Sequence, residues 1–235
     1  MAPGMAEKEA RSGRIAAVAG VHAPPVGALI TVGGRHGIVC RRIEGESMLA
    51  RLQRRPWTYA GLARLLGDLH AHMHSVAGLE LPSVRDYLRQ DIERASELPA
   101  SVRAAVLARL GSLPAGASIC HGDFHPGNVI LTAGGPVIID WMTAGHGHPD
   151  ADVARTVLML QRGEPPGASV LQLRLIGLLR RALLRSYLRA YRAHRPCPDA
   201  AIAAWIPVIA AARLSENIAA ERVQLLALAG SIAHP

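Results

Sequence analysis

One stretch constrains this chain more than any other. His121-Gly122-Asp123-Phe124-His125-Pro126-Gly127-Asn128 is followed by the apolar run Val129 to Leu131, the turn Thr132-Ala133-Gly134-Gly135-Pro136, and Val137-Ile138-Ile139-Asp140-Trp141. It sets a carboxylate and an amide five residues apart on a loop, then a hairpin that delivers a second carboxylate beside them. The hairpin is legible on its own terms, because two short β-rich runs are joined by paired glycines, which adopt positive φ at no steric cost. Phosphoryl transfer needs this arrangement, since there the protein supplies position and charge compensation more than covalent help. In such sites one Asp orients the acceptor hydroxyl, while an Asn and a second Asp hold Mg²⁺ on the nucleotide phosphates. The spacing assigns these parts to Asp123, Asn128 and Asp140.

The series His-Gly-Asp-x-His-x-x-Asn, then Ile139-Asp140-Trp141, then Gly147-x-Pro149-x-x-Asp152 resembles the aminoglycoside phosphotransferase-like family of protein-kinase-like small-molecule kinases. Three separate elements agree in order and spacing, and the chain can be laid along that family's pattern from Glu7 to about Leu228. The resemblance implies an α+β, protein-kinase-like fold with a truncated small lobe and a mainly helical large lobe. Residues 1–45 would form the partial nucleotide-binding lobe and hinge, and 46–235 the catalytic and substrate lobe. It further implies Asp123 as catalytic base, Asn128 and Asp140 as Mg²⁺ ligands, and Asp152 as a structural carboxylate tying the following helix to the catalytic loop. ATP or another nucleoside triphosphate is the implied donor, and a small aminoglycoside-, sugar- or amino-alcohol-like molecule the hydroxyl acceptor. A helix over Ala6 to Gly20 would carry the Glu partner of a phosphate-binding lysine, with Glu7 or Glu9 as the candidate. Arg41-Arg42-Ile43-Glu44-Gly45 is similar to the family's hinge, which puts Arg42, Ile43 and Glu44 at the nucleotide edge through main-chain groups.

The chain also departs from that pattern. A kinase-like small lobe begins with a Gly-rich hairpin and a strand carrying a lysine. Only a handful of residues precede Glu7, and Lys8, the only lysine, lies beside the candidate Glu rather than a strand upstream. Two expectations follow. One is an ATP- and Mg²⁺-dependent phosphotransferase weakened by the missing elements. The other is a non-catalytic kinase-like remnant that binds a ligand or partner, opposed by the intact Asp123, Asn128 and Asp140.

Gly-Asp-x-His also occurs in two-metal phosphoesterases, and Asp68-Leu69-His70 offers itself as the other half of such a site. Yet Asp68 sits within Thr58 to Val76, whose apolar residues recur at three and four, a helix rather than a strand-end loop. His70 and His74 share a face of that helix. No Glu follows His70 to complete a His-Glu-x-x-His set, and the family commonly carries a Leu-His pair here, so these histidines are expected to be structural.

Elsewhere, Ala28 to Val32 and Gly37 to Arg42 read as strands joined by Gly33-Gly34-Arg35-His36, and Val84 to Ala95 and Ser101 to Leu110 as helices, the second ended by Gly111 and Pro114. Ala154 to Arg162 reads as a short helix stopped by Gly163 and Pro165-Pro166. Ser169 to Ala193 reads as a long helix with Arg174, Arg181, Arg185, Arg189 and Arg192 on a solvated face. Asp199 to Leu228 reads as one broken or two packed helices; the resemblance implies that such late helices wall the acceptor pocket, with Trp205 and Glu216 as candidates. Half of the residues are apolar, enough for a substantial core, and a formal charge of +8 fits an anionic nucleotide. With 3% aromatics there is no stacking platform for single strands, so no nucleic-acid partner is expected. Three cysteines without metal-ligand spacing point to reduced thiols and a cytoplasmic chain. The apolar run Ala200 to Ala212 contains Pro207 and is too short for a membrane span, so no membrane partner is expected.

Overall fold

The computed structural model describes residues 3–161 and 169–233. The first helix, α1 (Pro3–Val18), gives way at Gly20, whose φ of 78° is left-handed, and the chain passes Pro24-Pro25 into a hairpin. Strands β1 (Val26–Val32) and β2 (Arg35–Cys40) pair antiparallel with Val32 opposite Arg35. The turn is therefore two residues long, not four. Gly33 and Gly34, at φ 55° and 75°, meet both left-handed positions of a primed hairpin turn, so Arg35 and His36 are free to join the strand.

A two-residue strand, β3 (Glu46–Ser47), leads into the large lobe, where Ser47 accepts the Ala50 N–H at 3.1 Å and caps α2 (Met48–Arg54). Helices α3 (Tyr59–His74), α4 (Val84–Arg94) and α5 (Ala100–Ser112) follow. Gly111 does not end α5. It is tolerated inside, and the helix stops where Leu113 turns extended before Pro114.

Two short strands, β4 (Ser118–Cys120) and β7 (Gly145–Gly147), pair antiparallel and flank residues 121–144. Between them lies the expected hairpin, β5 (Val129–Thr132) and β6 (Gly135–Ile138), with β3 paired on the outer side of β5. Its turn is also tighter than expected. Thr132 Oγ1 accepts the Gly134 N–H at 3.0 Å and donates to Gly135 O at 2.7 Å, so Gly135 and Pro136 belong to β6.

Helix α6 (Pro149–Leu160) starts five residues earlier than its apolar periodicity suggests, because Pro149 occupies the first turn and the His148 ring accepts the Asp150 N–H. Arg162, Gly163, Pro165 and Pro166, the expected stop, lie outside the described residues. Helices α7 (Val170–His194), α8 (Asp199–Arg213) and α9 (Arg222–Gly230) complete the lobe. Arg174, Arg181, Arg185, Arg189 and Arg192 of α7 are exposed, as a solvated face requires, while Arg180 of the same helix is half-buried.

Gly67 decides how α3 meets α7. A Cβ there would lie 2.5 Å from Tyr187 O and 2.8 Å from the Ala190 methyl, so only glycine permits this approach. The approach brings Tyr187 and Tyr191 within reach of the α3 histidines. Around it the core is apolar, with Leu66, Met73, Phe124, Ile138, Leu158 and Ile209 fully or almost fully buried. Among the described residues no single helix is long and apolar enough to cross a membrane. The architecture is α+β, a strand-bearing small piece followed by a mainly helical large lobe.

Candidate active site

Asp152, on the first turn of α6, fixes the base of the loop over residues 121–128. Its carboxylate accepts the backbone N–H of His121 at 2.6 Å and of Gly122 at 2.9 Å. Gly122 adopts φ 76°, and a Cβ would sit 2.6 Å from Thr143 O, so no other residue fits. The His121 ring holds the other side of the loop. Its Nδ1 accepts the Asp123 N–H at 3.2 Å and its Nε2–H donates to Ile139 O at 3.0 Å. Burial holds the His121 pKa below its usual value, against the upward pull of the Asp152 charge, so the ring is neutral and that tautomer is satisfied on both nitrogens.

Beneath the loop the same carboxylate serves α3. His70 and His74 donate Nε2–H to Asp152 Oδ2 at 3.2 and 3.3 Å, and Tyr187 and Tyr191 donate their hydroxyls to the two Nδ1 atoms at 2.7 Å each. His70, His74 and Asp152 lie close enough together to hold a metal ion. Neutral imidazoles with a tyrosine hydroxyl behind each satisfy every nitrogen without one. Burial pushes His70 down to about 3, and the neighbouring His74 adds to this, so His70 is neutral. Burial alone would raise the Asp152 pKa, but the two histidine hydrogen bonds hold it well below the carboxylate range.

Above the loop lies Asp123. Asn128 Nδ2 donates to its backbone oxygen at 2.9 Å and to its Oδ2 at 3.1 Å. His125 Nε2 is 3.5 Å from Oδ2, and Arg155 Nη2 is 3.8 Å from Oδ1. Burial pulls the Asp123 pKa up, yet the His125 hydrogen bond and the Arg155 charge outweigh it and leave the carboxyl below its usual range.

Asp140 stands at the same end of the hairpin. Val129 pairs with Ile138, and Ile139 N–H donates to Asn128 O at 2.9 Å, so Asn128 and Asp140 emerge side by side. Asp140 is exposed and takes the left-handed conformation, φ 66° and ψ 66°, which Asp tolerates better than most residues and which is a feature of strained functional positions. The Asn128 nitrogen is committed to Asp123, which leaves its amide oxygen and the exposed Asp140 carboxylate as the donors available to a ligand. Hard oxygen donors of this kind suit Mg²⁺.

Glu9 of α1 faces this site. Burial and the charge of Asp140 both raise its pKa. Glu7 is exposed, so the structure separates the two candidates. Lys8 turns elsewhere, with Nζ 4.0 Å from the Tyr87 ring centroid, and so does not stand between Glu9 and Asp140. Arg42 and Glu44 pair with each other at 3.0 Å in solvent, and their side chains do not join the Asp123 cluster; Ile43 is half-buried between them.

A cleft of about 840 Å³ opens in front of Asp123 between α2, the end of α6, α7 and the segment after α8. Glu216 lines it as expected, but Trp205 does not: it is buried at 3% exposure and stacks on His148. Sequence reasoning missed Arg155 and Arg213 as partners of the site's carboxylates. It also missed Tyr187 and Tyr191, although a signal existed. Two of the chain's four tyrosines repeat the four-residue spacing of His70 and His74.

The profile of the Phosphotransferase enzyme family (APH) matches residues 2–197. No curated protein matches. Among solved structures, an aminoglycoside-3'-phosphotransferase of type VIII is 20% identical over 92% of this chain and 80% of that one, with a TM-score of 0.64. A thermostable mutant of aminoglycoside phosphotransferase APH(4)-Ia, in ternary complex with ADP and hygromycin B, is 15% identical over 97% and 82%, with a TM-score of 0.62. A choline/ethanolamine kinase family protein from Mesorhizobium loti is 19% identical over 97% and 79%, with a TM-score of 0.59. At such identities the likeness is one of fold. The profile match, by contrast, takes in the whole loop, the hairpin and the Asp152 helix, and the chain belongs to the phosphotransferase enzyme family.

Proposed function

We propose that the chain transfers the terminal phosphoryl group of ATP to a hydroxyl of a small molecule, with Mg²⁺ as cofactor. The observation that carries this reading is the meeting of Asp123, Asn128 and Asp140 at one end of the β5–β6 hairpin. It is supported by the family and by the nucleotide complex of a protein with the same fold. Residues 1–45 face the nucleotide and 46–235 carry the chemistry, with Arg42, Ile43 and Glu44 meeting the base edge through backbone groups.

Asn128 and Asp140 would hold Mg²⁺, which supplies positive charge against the phosphate oxygens. Glu9 shapes the nucleotide side of Asp140. Asp123 accepts a hydrogen bond from the acceptor hydroxyl and aims its oxygen at the γ-phosphorus. As the new O–P bond forms, the bond from phosphorus to the ADP oxygen breaks, and the hydroxyl proton passes to Asp123 and then to water. With its pKa held low, Asp123 acts mainly by orienting the hydroxyl, which suffices when bonding to the entering oxygen is weak in the transition state.

Calorimetry of wild type and Asp140→Asn with Mg-ATP tests the reading. The variant is expected to bind at least about tenfold more weakly, since a charged partner of this kind contributes on the order of 1.5–3 kcal/mol. Equal affinities would remove Asp140 from the site. A wild type that binds no Mg-ATP would leave the non-catalytic ligand-binding reading in its place.

A further inference from the structure

The cleft before Asp123 is lined by apolar side chains and by polar ones in similar number, and its acidic groups are already held by arginines. Each of its three carboxylates meets an arginine. Arg155 Nη2 lies 3.8 Å from Asp123 Oδ1 and 2.7 Å from Glu216 Oε1. Arg213 Nη1 is 2.9 Å from Glu216 Oε2, and Arg213 Nε is 2.7 Å from Glu221 Oε2. These arginines are fixed rather than trailing in solvent, at 14% and 9% side-chain exposure. A third, Arg180, also lines the wall. Among the described residues, a polyamine entering here would find no cleft carboxylate without a guanidinium already on it, and would have to displace one cation to bind another. Gln53, Tyr59 and His125 add polar atoms, and the rest of the lining is hydrocarbon, chiefly Leu49 and Leu52 of α2, Met159 of α6, and Ile176, Leu179 and Leu183 of α7.

Resting on the phosphotransferase reading above, we infer that the acceptor is a neutral, mainly apolar alcohol of drug-like size, not a polycationic amino sugar. Its hydroxyl meets Asp123 and its hydrocarbon body lies between α2 and α7. Apolar walls with a few polar groups at one end orient such a molecule and bury most of its surface. The linked arginines and glutamates exclude polyamines by occupying the charges that would attract them.

The test uses a neutral naphthyl-hexanol as fluorescent probe, titrated into the full chain with Mg-AMP-PNP present, and hygromycin B as polycationic competitor. The probe is expected to bind with blue-shifted emission, and hygromycin B in large excess to leave it bound. Leu183→Asp, which sets a charge against the apolar wall, is expected to weaken the probe by about tenfold or more. If that variant fails to fold, Leu49→Asp asks the same question at a position already 42% exposed. Arg213→Gln removes one guanidinium charge from Glu216 and Glu221 and is expected to raise hygromycin B affinity about tenfold, a gain that loss of structure does not produce. Hygromycin B binding to the wild type in preference to the probe overturns the inference, as does a probe affinity indifferent to both aspartate variants. Calorimetry of Mg-AMP-PNP on the same samples separates the two readings. Nucleotide binding without probe binding overturns the apolar acceptor and leaves the phosphotransferase standing. Probe binding without nucleotide binding upholds the cleft's chemistry and removes the phosphotransferase.

Discussion

On either side of the His121–Asp123 backbone lie two clusters built from similar parts, and they serve opposite ends. Below it, Asp152 with His70, His74 and two tyrosines is sealed from water, and every donor has an acceptor. Above it, Asp123 with Arg155, Glu216, Arg213 and Glu221 borders an open cleft, and its partners stand at mixed distances from 2.7 to 3.8 Å. A closed network holds a loop in place. An open one leaves oxygens facing a space where another molecule can stand. Carboxylates with basic partners thus position the backbone where burial is complete and remain available for chemistry where it is not.

The comparison is tested most severely at its two aspartates. Asp123→Asn is expected to lower phosphotransfer by roughly two to four orders of magnitude, the range for a positioned acid or base, while the melting temperature changes little. Steady-state kinetics beside thermal melts check this, and a variant that unfolds instead would show that the upper cluster is structural after all. Asp152→Ala is expected to do the reverse. It strips the partner from two buried histidines and two loop amides, at a cost of about 3–5 kcal/mol in denaturant unfolding. A stable but inactive Asp152→Ala would break the division of labour.

Tyr187→Phe is a finer probe of the sealed cluster. It leaves His70 Nδ1 buried without a donor and is expected to cost about 1–3 kcal/mol in the same unfolding experiment.

The two clusters should also part company with pH. His70 is held at about 3 in the folded chain against an ordinary value of 6.5, so below 6.5 the unfolded state binds the extra proton. Its contribution is complete above pH 6.5 and is lost as pH falls toward 3, by at most about 1.4 kcal/mol per pH unit. Asp152, with its folded value depressed, adds a further loss only below the ordinary carboxylate range. Asp123, also depressed, stays ionised throughout the window between 6.5 and 4.5. Activity lost there should therefore follow the circular dichroism signal. Activity falling while the folded signal holds would point to a titrating group in the cleft.

The smallest effect is expected at Arg42. Its ion pair with Glu44 lies in solvent, where such pairs contribute little, and its assigned contact with nucleotide is through the backbone. Arg42→Ala should leave both the melting temperature and Mg-ATP affinity unchanged, and a weaker affinity would give the side chain a role on phosphate.

What could be read from the residues alone is what depends on neighbours in the chain. The loop and hairpin that carry Asp123, Asn128 and Asp140 are specified by a five-residue spacing and a glycine turn, both local. The helical character of α3, α4 and α7 follows from apolar periodicity and breakers. The same local logic misjudged both turns by a residue or two, because alternation cannot tell a strand's last pair from its turn. β4 and β7, at three residues each, carry too little pattern to be seen. Tertiary structure alone decided the partners. His70 meets Tyr187 across 117 residues, and it does so because Gly67 lets α3 and α7 approach. Arg155 and Arg213 reach the cleft's carboxylates from separate helices, and Lys8 is drawn to Tyr87 rather than to Glu9. Spacing along a chain fixes which side chains share a face or a loop. Which groups from distant segments neutralise one another is fixed only when packing brings them within reach, since electrostatic and hydrogen-bond energies are steep functions of distance and burial.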